Sequence, residues 1–306
     1  MPLLSKPELR DYLVGFALVL FMVAIATWLN DYEIILPEIG ALTAGMWIYH
    51  NPTWIAQPSK IFLAPSGTAV IGFLVNQLAI GYAEKVLLTL ILILILLNIL
   101  RSTLAPSFAT GLLPIIINAT HWSFILAIFT FTLILMVGVL LQGHYRGLPA
   151  GQPLRWQHML GFSLAAGIWV ATVWIAGFPQ MAGIPPVLVV FFEVSQMPNY
   201  RGKLALKHIV ALSGAATLGV LVHLVLASWL LSALVTLPLV FILLQLLRIK
   251  LPAAYAFPLL ALVLPASMFH TLPIAATLAS CFFLGSVVIF HQVADRIRVS
   301  SENSEI

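Results

Sequence analysis

Charge is what this sequence has least of. Asp, Glu, Lys and Arg make up 8% of its 306 residues, where soluble domains carry about 25%. A chain so poor in charge lacks the polar surface a soluble fold needs, and its apolar content excludes disorder. Cysteine is nearly absent. Cys281, inside an apolar run, excludes disulfides and cysteine-based metal sites. Basic residues exceed acidic ones by 14 to 10, but they stand between long apolar runs and build no basic stripe, so no nucleic-acid partner is expected. Enzyme signatures are missing too. There is no phosphate-binding Gly-Lys-Thr loop and no His-Glu-x-x-His. Asp11, Asp31 and Asp295 all stand at the ends of apolar runs. No catalytic residue, metal or cofactor is expected, and the chain reads as a protein that is not an enzyme.

What the sequence has is apolar length. Hydrophobic residues make up 61%, and the mean hydropathy is +1.07. A helix crosses a bilayer with roughly 20 apolar residues. Full-length runs occupy 11–29, 60–82, 86–100, 123–142, 159–177, 206–228, 232–247 and 272–292. Four shorter runs, 34–50, 104–119, 183–196 and 251–267, are broken by Pro or Gly and either cross or re-enter. Charge favours crossing. With twelve crossings and a cytoplasmic N-terminus, 13 of the 14 basic residues lie inside and only Lys85 lies outside, as the positive-inside rule asks. The expectation is a multi-pass protein of the plasma (cell) membrane with both termini cytoplasmic. Its partners are the lipid bilayer and a small-molecule or ion solute; whether it forms a homo-oligomer is open.

The chain also repeats itself. A shift of 147 residues lays Ser66-Gly67-Thr68 on Ser213-Gly214-Ala215, Gly72 on Gly219, Lys60 on Lys207, Thr89 on Thr236, Asn98 on Gln245 and Arg101 on Arg248. A shift of 146 lays Gly15-Phe16 on Gly161-Phe162 and Trp28 on Trp174. The expected fold class is therefore an all-α polytopic membrane protein of about 12 transmembrane helices. Two homologous six-helix halves, 1–142 and 159–306, flank a cytoplasmic linker at 143–158. Six being even, both halves enter the membrane in the same sense, which implies a pseudo-two-fold axis along the membrane normal.

Ionisable groups inside spans are costly, commonly ~2.5–3.5 kcal/mol on insertion scales, and are functional candidates for that reason. Glu193, two-thirds along a short run, is either a coupling carboxylate or an inner-interface residue reaching towards Arg201 and Lys203. Glu38, behind Pro37, is either a pathway group or an interfacial carboxylate at a helix start. His223 and its repeat mate Asn76 either face each other near the pseudo-axis or join helices by hydrogen bonds. Ser66, Gly67, Thr68, Ser213 and Gly214 either let helices pack closely or mark broken helices whose amides meet an anion. Pro65, Pro106, Pro114, Pro185, Pro186, Pro258 and Pro265 favour such breaks. Arg101 and Arg248 either snorkel to the cytoplasmic headgroups or form a twin positive entrance.

Ala56-Gln57-Pro58, with Gly72 fourteen residues on, and then Arg101-Ser-Thr-Leu-Ala-Pro-Ser-Phe-Ala-Thr110, resemble the HPP family of integral membrane proteins. The likeness covers about residues 36–118 and, more faintly, 183–265. It implies a turn leading into a small-residue helix, a later short span, and movement of a small anion of the nitrite or nitrate kind. The triplet that names the family reads Ala105-Pro106-Ser107 here, and Pro252-Ala253-Ala254 in the second half. A looser resemblance is to the membrane domains of aromatic-acid efflux proteins. The expected function is a secondary transporter or permease for a small solute, an anion favoured. The alternatives are an aromatic-acid efflux transporter, a non-transporting membrane subunit or scaffold, and a lipid-active membrane enzyme. Polar groups lining a path between the halves would favour transport, and apolar sealing there would favour the others.

Overall fold

The computed structural model describes residues 5–149 and 156–304, and all of the regular structure among them is helical. The chain begins with α1 (Lys6–Leu29), which Ser5 and Glu8 start by accepting each other's backbone N–H. A 3-10 turn (Tyr32–Ile34) and an extended stretch lead to α2 (Pro37–Thr43), a π-helical turn (Ala44–Ile48) and α3 (Pro52–Ile55). Then come α4 (Pro58–Asn76), α5 (Tyr82–Leu100), α6 (Ser107–Ile116) and α7 (Trp122–Gln142). Beyond the loop the order returns: α8 (Trp156–Ile175), a 3-10 turn (Pro179–Met181), α9 (Pro185–Val194), α10 (Gly202–Leu226) and α11 (Trp229–Leu247). A 3-10 turn (Pro252–Tyr255) then leads into α12 (Ala256–Val263), followed by α13 (Ala266–Phe269) and α14 (Leu272–Ser304). The linker expected at 143–158 falls partly outside the described residues, which cover only 143–149 and 156–158 of it.

Eight of the described helices are long and apolar enough to cross a membrane: α1, α4, α5, α7, α8, α10, α11 and the Leu272–Val293 part of α14. They answer one for one to the eight full-length runs of the sequence. This is an integral membrane protein. The long helices turn one face outward, where Trp28, Ile99, Leu141, Ile175 and Val225 are exposed, as lipid-facing side chains are.

The four interrupted runs lie at the centre. Residues 36–48, 104–117, 181–192 and 251–263 are buried without exception. Irregular backbone at membrane depth survives only where protein or a cavity covers it, and here the long helices supply the cover. Proline opens three of these segments, at Pro37, Pro185 and Pro252, and caps the fourth at Pro106. A proline at a helix start leaves no unpaired N–H there, which matters most where no water can reach.

Packing runs crosswise between the first and second parts of the chain. The α1 helix lies on α11, and α8 on α5; α2 lies on the Pro252–Tyr255 turn and α12, and α9 on α6. Local geometry recurs at the same 147-residue shift. Helices α5 and α11 have matching bounds, as do the turns Tyr32–Ile34 and Pro179–Met181. The Lys60 ammonium donates to the Leu100 carbonyl and that of Lys207 to the Leu247 carbonyl. Arg101 and Arg248 both end their helices in the left-handed region, with φ 49° and 52°. Gly67 faces Leu96 as Gly214 faces Leu243.

The tightest of these repeated contacts joins α4 to α6. A Cβ on Gly72 would collide with the Gly111 carbonyl, and one on Gly219 with the Pro258 backbone. Backbone cannot yield as a side-chain tip can. Gly72→Ala is therefore expected to destabilise the fold by about 1–3 kcal/mol, the usual cost of overpacking. Gly161→Ala, with nothing near its Cβ, should be neutral. Thermal unfolding of both variants in nanodiscs checks this, and equal midpoints would refute it.

Candidate functional site

The face where α1 and the Pro37–Ile48 segment meet α11 and α12 is polar and hollow. Tyr12, on the second turn of α1, turns its ring edge-on to Phe241 of α11, with centroids 4.7 Å apart. Its hydroxyl donates to that of Tyr49 at 3.4 Å, and the Tyr49 hydroxyl donates to that of Tyr255, also at 3.4 Å. Both are long for O–H···O bonds, so the row is loosely held. It runs from the first helix to the start of α12. Beside it, Glu8, Tyr12, Ile48, Tyr49, Gln245, Arg248, Ile249 and Lys250 line a cavity of about 220 Å³. The Lys250 ammonium stands over the Tyr49 ring, 5.7 Å from its centroid, a cation–π placement. Two cations and one carboxylate make this a cavity that favours an anion.

The opposite face, where α8 and α9 meet α5 and α6, is packed with phenylalanine. Phe162 packs on Phe108, Phe191 and Phe192 with centroids 4.8, 5.1 and 5.7 Å away. Phe191 goes on to Phe283 at 4.8 Å. The 146- and 147-residue shifts pair Phe16 with Phe162 and Tyr255 with Phe108. Phe16 against Tyr255 (5.7 Å) on one side stands where Phe162 against Phe108 (4.8 Å) stands on the other. At this position a hydroxyl is present on one face and absent on the other.

No family model, curated protein or solved structure matches the chain.

Of the residues singled out in the sequence, Arg248 lines the cavity. Its mate Arg101 is exposed and outside it. Glu38 stands in the first turn of α2. It is fully buried, with both carboxylate oxygens unpartnered. Glu193 is partly buried and accepts the Trp54 indole N–H at 2.8 Å, a bond between α9 and α3.

Asn76 and His223 do not face each other. Asn76 donates to the Asn118 side chain (3.2 Å) and the Ala119 carbonyl (3.1 Å), and the Lys85 ammonium donates to its carbonyl (2.6 Å). His223 Nδ1 meets the Ser232 hydroxyl at 3.0 Å, and its ring meets Phe269 edge-on. Each joins neighbouring helices.

The Ser-Gly segments do not break their helices, because α4 and α10 run straight through them. Thr68 meets Thr110 of α6, hydroxyl to hydroxyl at 2.6 Å, and Ser66 meets Thr132 of α7 at 3.4 Å. Gly67 and Gly214 admit leucine tips, while the Ser213 hydroxyl is buried without a partner. The breaks lie instead in the four central segments.

The tyrosine row was missed in the sequence, although the 147-residue shift pairs Tyr255 with Phe108 and so carried the signal. The buried pair of Tyr200 and His208, 3.1 Å apart, was missed as well. Trp54 is 2% exposed and its ring covers Gly45. Trp54→Phe leaves the Glu193 carboxylate without its donor and is expected to cost about 1–3 kcal/mol. Glu193→Gln keeps an acceptor for the indole and should cost under about 1 kcal/mol. Unfolding midpoints of the two variants test this, and a larger loss for Gln than for Phe would refute it.

Proposed function

We propose that this chain is a twelve-pass secondary transporter for a small anion, built from two homologous six-helix halves. On this reading the anion passes along the polar face between α1, α2, α11 and α12. The observation that carries it is the contrast of the two faces: one holds hydroxyls, two cations and a cavity of about 220 Å³, and its counterpart is filled with phenylalanine. That volume lies below the roughly 300–1,000 Å³ of sites for drug-sized ligands, which suits a small solute. The likeness to the HPP family points to the same class of substrate.

Several observations support the duplication. Crosswise packing of α1 on α11 and α8 on α5, and of α2 on α12 and α9 on α6, is what a two-fold axis along the membrane normal produces. The recurrence of Lys–carbonyl bonds, left-handed arginine caps and glycine contacts at one shift argues the same way. Twelve passes are supported by what the ends of the central segments touch. Glu33, before α2, accepts N–H bonds from Thr120 and His121 after α6, both at 2.9 Å. Tyr49, after the π-helical turn, reaches Tyr12 and Tyr255 at the other end of the bundle. With the charge distribution, both termini are cytoplasmic in a plasma membrane, and the cavity opens to the cytoplasm.

Flux of nitrite, nitrate, formate and benzoate into proteoliposomes holding this chain alone tests the proposal. Arg248→Gln is expected to raise the half-saturating concentration about tenfold, equivalent to roughly 1.4 kcal/mol, and Arg101→Gln to leave it unchanged. Equal effects of the two would refute the one-sided path. No flux of any anion, from folded protein, would turn the reading to a non-transporting membrane subunit.

A further inference from the structure

Glu38 is 0% exposed, and neither oxygen of its carboxylate has a hydrogen-bond partner. The other two glutamates between the helices are both served. Glu33 accepts two backbone N–H groups, and Glu193 accepts an indole N–H. Among the described residues no cation pairs with Glu38. The elements packed against α2 are α1, the Ala44–Ile48 turn, α6, α7, the Pro252–Tyr255 turn and α12. The titratable side chains they carry are Tyr255 and, in the first two turns of α1, Lys6, Glu8, Arg10, Asp11 and Tyr12. The Ala44–Ile48 turn, α6, α7 and α12 carry none. Upstream, Glu33 is already held by Thr120 and His121.

An ionised carboxylate taken from water without a partner costs far more than a neutral one. A carboxyl kept in such a place carries a proton while it is enclosed and can lose it only when the enclosure opens. The helix that bears it is wedged against the other part of the chain. Gly40, two residues on and about 200° round the helix from Glu38, lies so close to the Tyr255 carbonyl and the Leu259 side chain that a Cβ would approach each to 2.8 Å. Tyr255 is also the inner end of the hydroxyl row that borders the cavity. Movement of α2 away from α12 would therefore carry Glu38 with it and change what encloses its carboxyl.

We propose that Glu38 is a proton-carrying site that couples passage of the anion to a proton gradient, an inference that rests on the transport reading above. The proton is taken up by the Glu38 carboxylate when α2 and α12 are apart, and carried while they are closed. It is then given to water on the other side. The basic cavity would attract the anion, and the neutral carboxyl would remove the like charge from its path.

Two measurements test it, and they fail separately. N,N′-dicyclohexylcarbodiimide attacks protonated carboxyls in apolar surroundings. The wild-type protein in membranes should be labelled on the peptide bearing Glu38 at acidic pH and much less at alkaline pH. Glu38→Gln should lose that label, and Glu38→Asp should keep it. Folded wild-type protein in which Glu38 stays unlabelled at every pH would overturn the proton site. In proteoliposomes with an imposed pH gradient, nitrate, formate and benzoate are offered in turn. An anion that moves should accumulate in the wild type, while Glu38→Gln falls to the level without a gradient yet still exchanges that anion. Undiminished gradient-driven accumulation in Glu38→Gln would overturn the inference and leave the transport reading standing. No movement of any anion by the wild type would overturn the transport reading, and with it the coupling, whatever the label shows.

Discussion

The rest of this structure depends on the need to pair backbone N–H and carbonyl groups where water is absent. A chain that is 61% hydrophobic can expose side chains to lipid freely but not bare backbone, and only continuous helices hide their own. The long helices satisfy that condition and stand outside. The four proline-started segments do not, and they are confined to the middle, where each touches protein on all sides. Their placement brings α2 against α12 and α6 against α9. Every polar group discussed as functional lies on one of these segments or within reach of one.

Central placement has a second consequence. Short segments leave the core with side chains of differing size and polarity where regular helices would pack evenly, and the two faces resolve this differently. On one, Phe108, Phe162, Phe191 and Phe192 fill the space with aromatic rings. Buried rings of this kind add about 0.5–1.5 kcal/mol per pair beyond the area they bury. On the other, tyrosines take up part of the space and bring hydroxyls that need partners, which they find in one another. A face of loosely bonded tyrosines beside a cavity separates more easily than one of interlocked phenylalanines. The molecule thus has one seam filled with phenylalanine rings and one that holds a cavity and long hydroxyl contacts.

How much of this the sequence disclosed depended on the physics behind each feature. The eight long helices were legible because lipid demands an unbroken apolar run of known length, and 11–29 or 123–142 meets that demand plainly. The four central segments were legible as interrupted runs. Their burial was not, because an apolar stretch such as 104–119 reads the same whether lipid or protein surrounds it. Lys60 and Lys207 aligned because a basic group at the same helix start has the same carbonyl to reach. Arg248 was found through its repeat mate, but only packing shows that it borders a cavity and Arg101 does not. Glu193 drew attention by its depth in a run, and Trp54, its partner, is far away in sequence. Glu38 looked ordinary because Pro-Glu is a common helix start, and a helix start at an interface has the same sequence as one in the core.

The position of Glu38 also bears on why only one face is polar. The 147-residue shift places Pro185 opposite Glu38, Phe108 opposite Tyr255, and Gln196 opposite Tyr49. On the duplicated reading, carboxyl, hydroxyl row and cavity are gathered on a single face, and the counterpart positions hold proline and phenylalanine at two of the three. A second unpartnered carboxyl in the core would add another large desolvation cost. A second hollow face would remove the rigid contact on which the first could move. One unpartnered carboxyl, one hollow seam and one filled seam satisfy both limits, so on that reading the asymmetry follows from the same constraint that places broken helices at the centre.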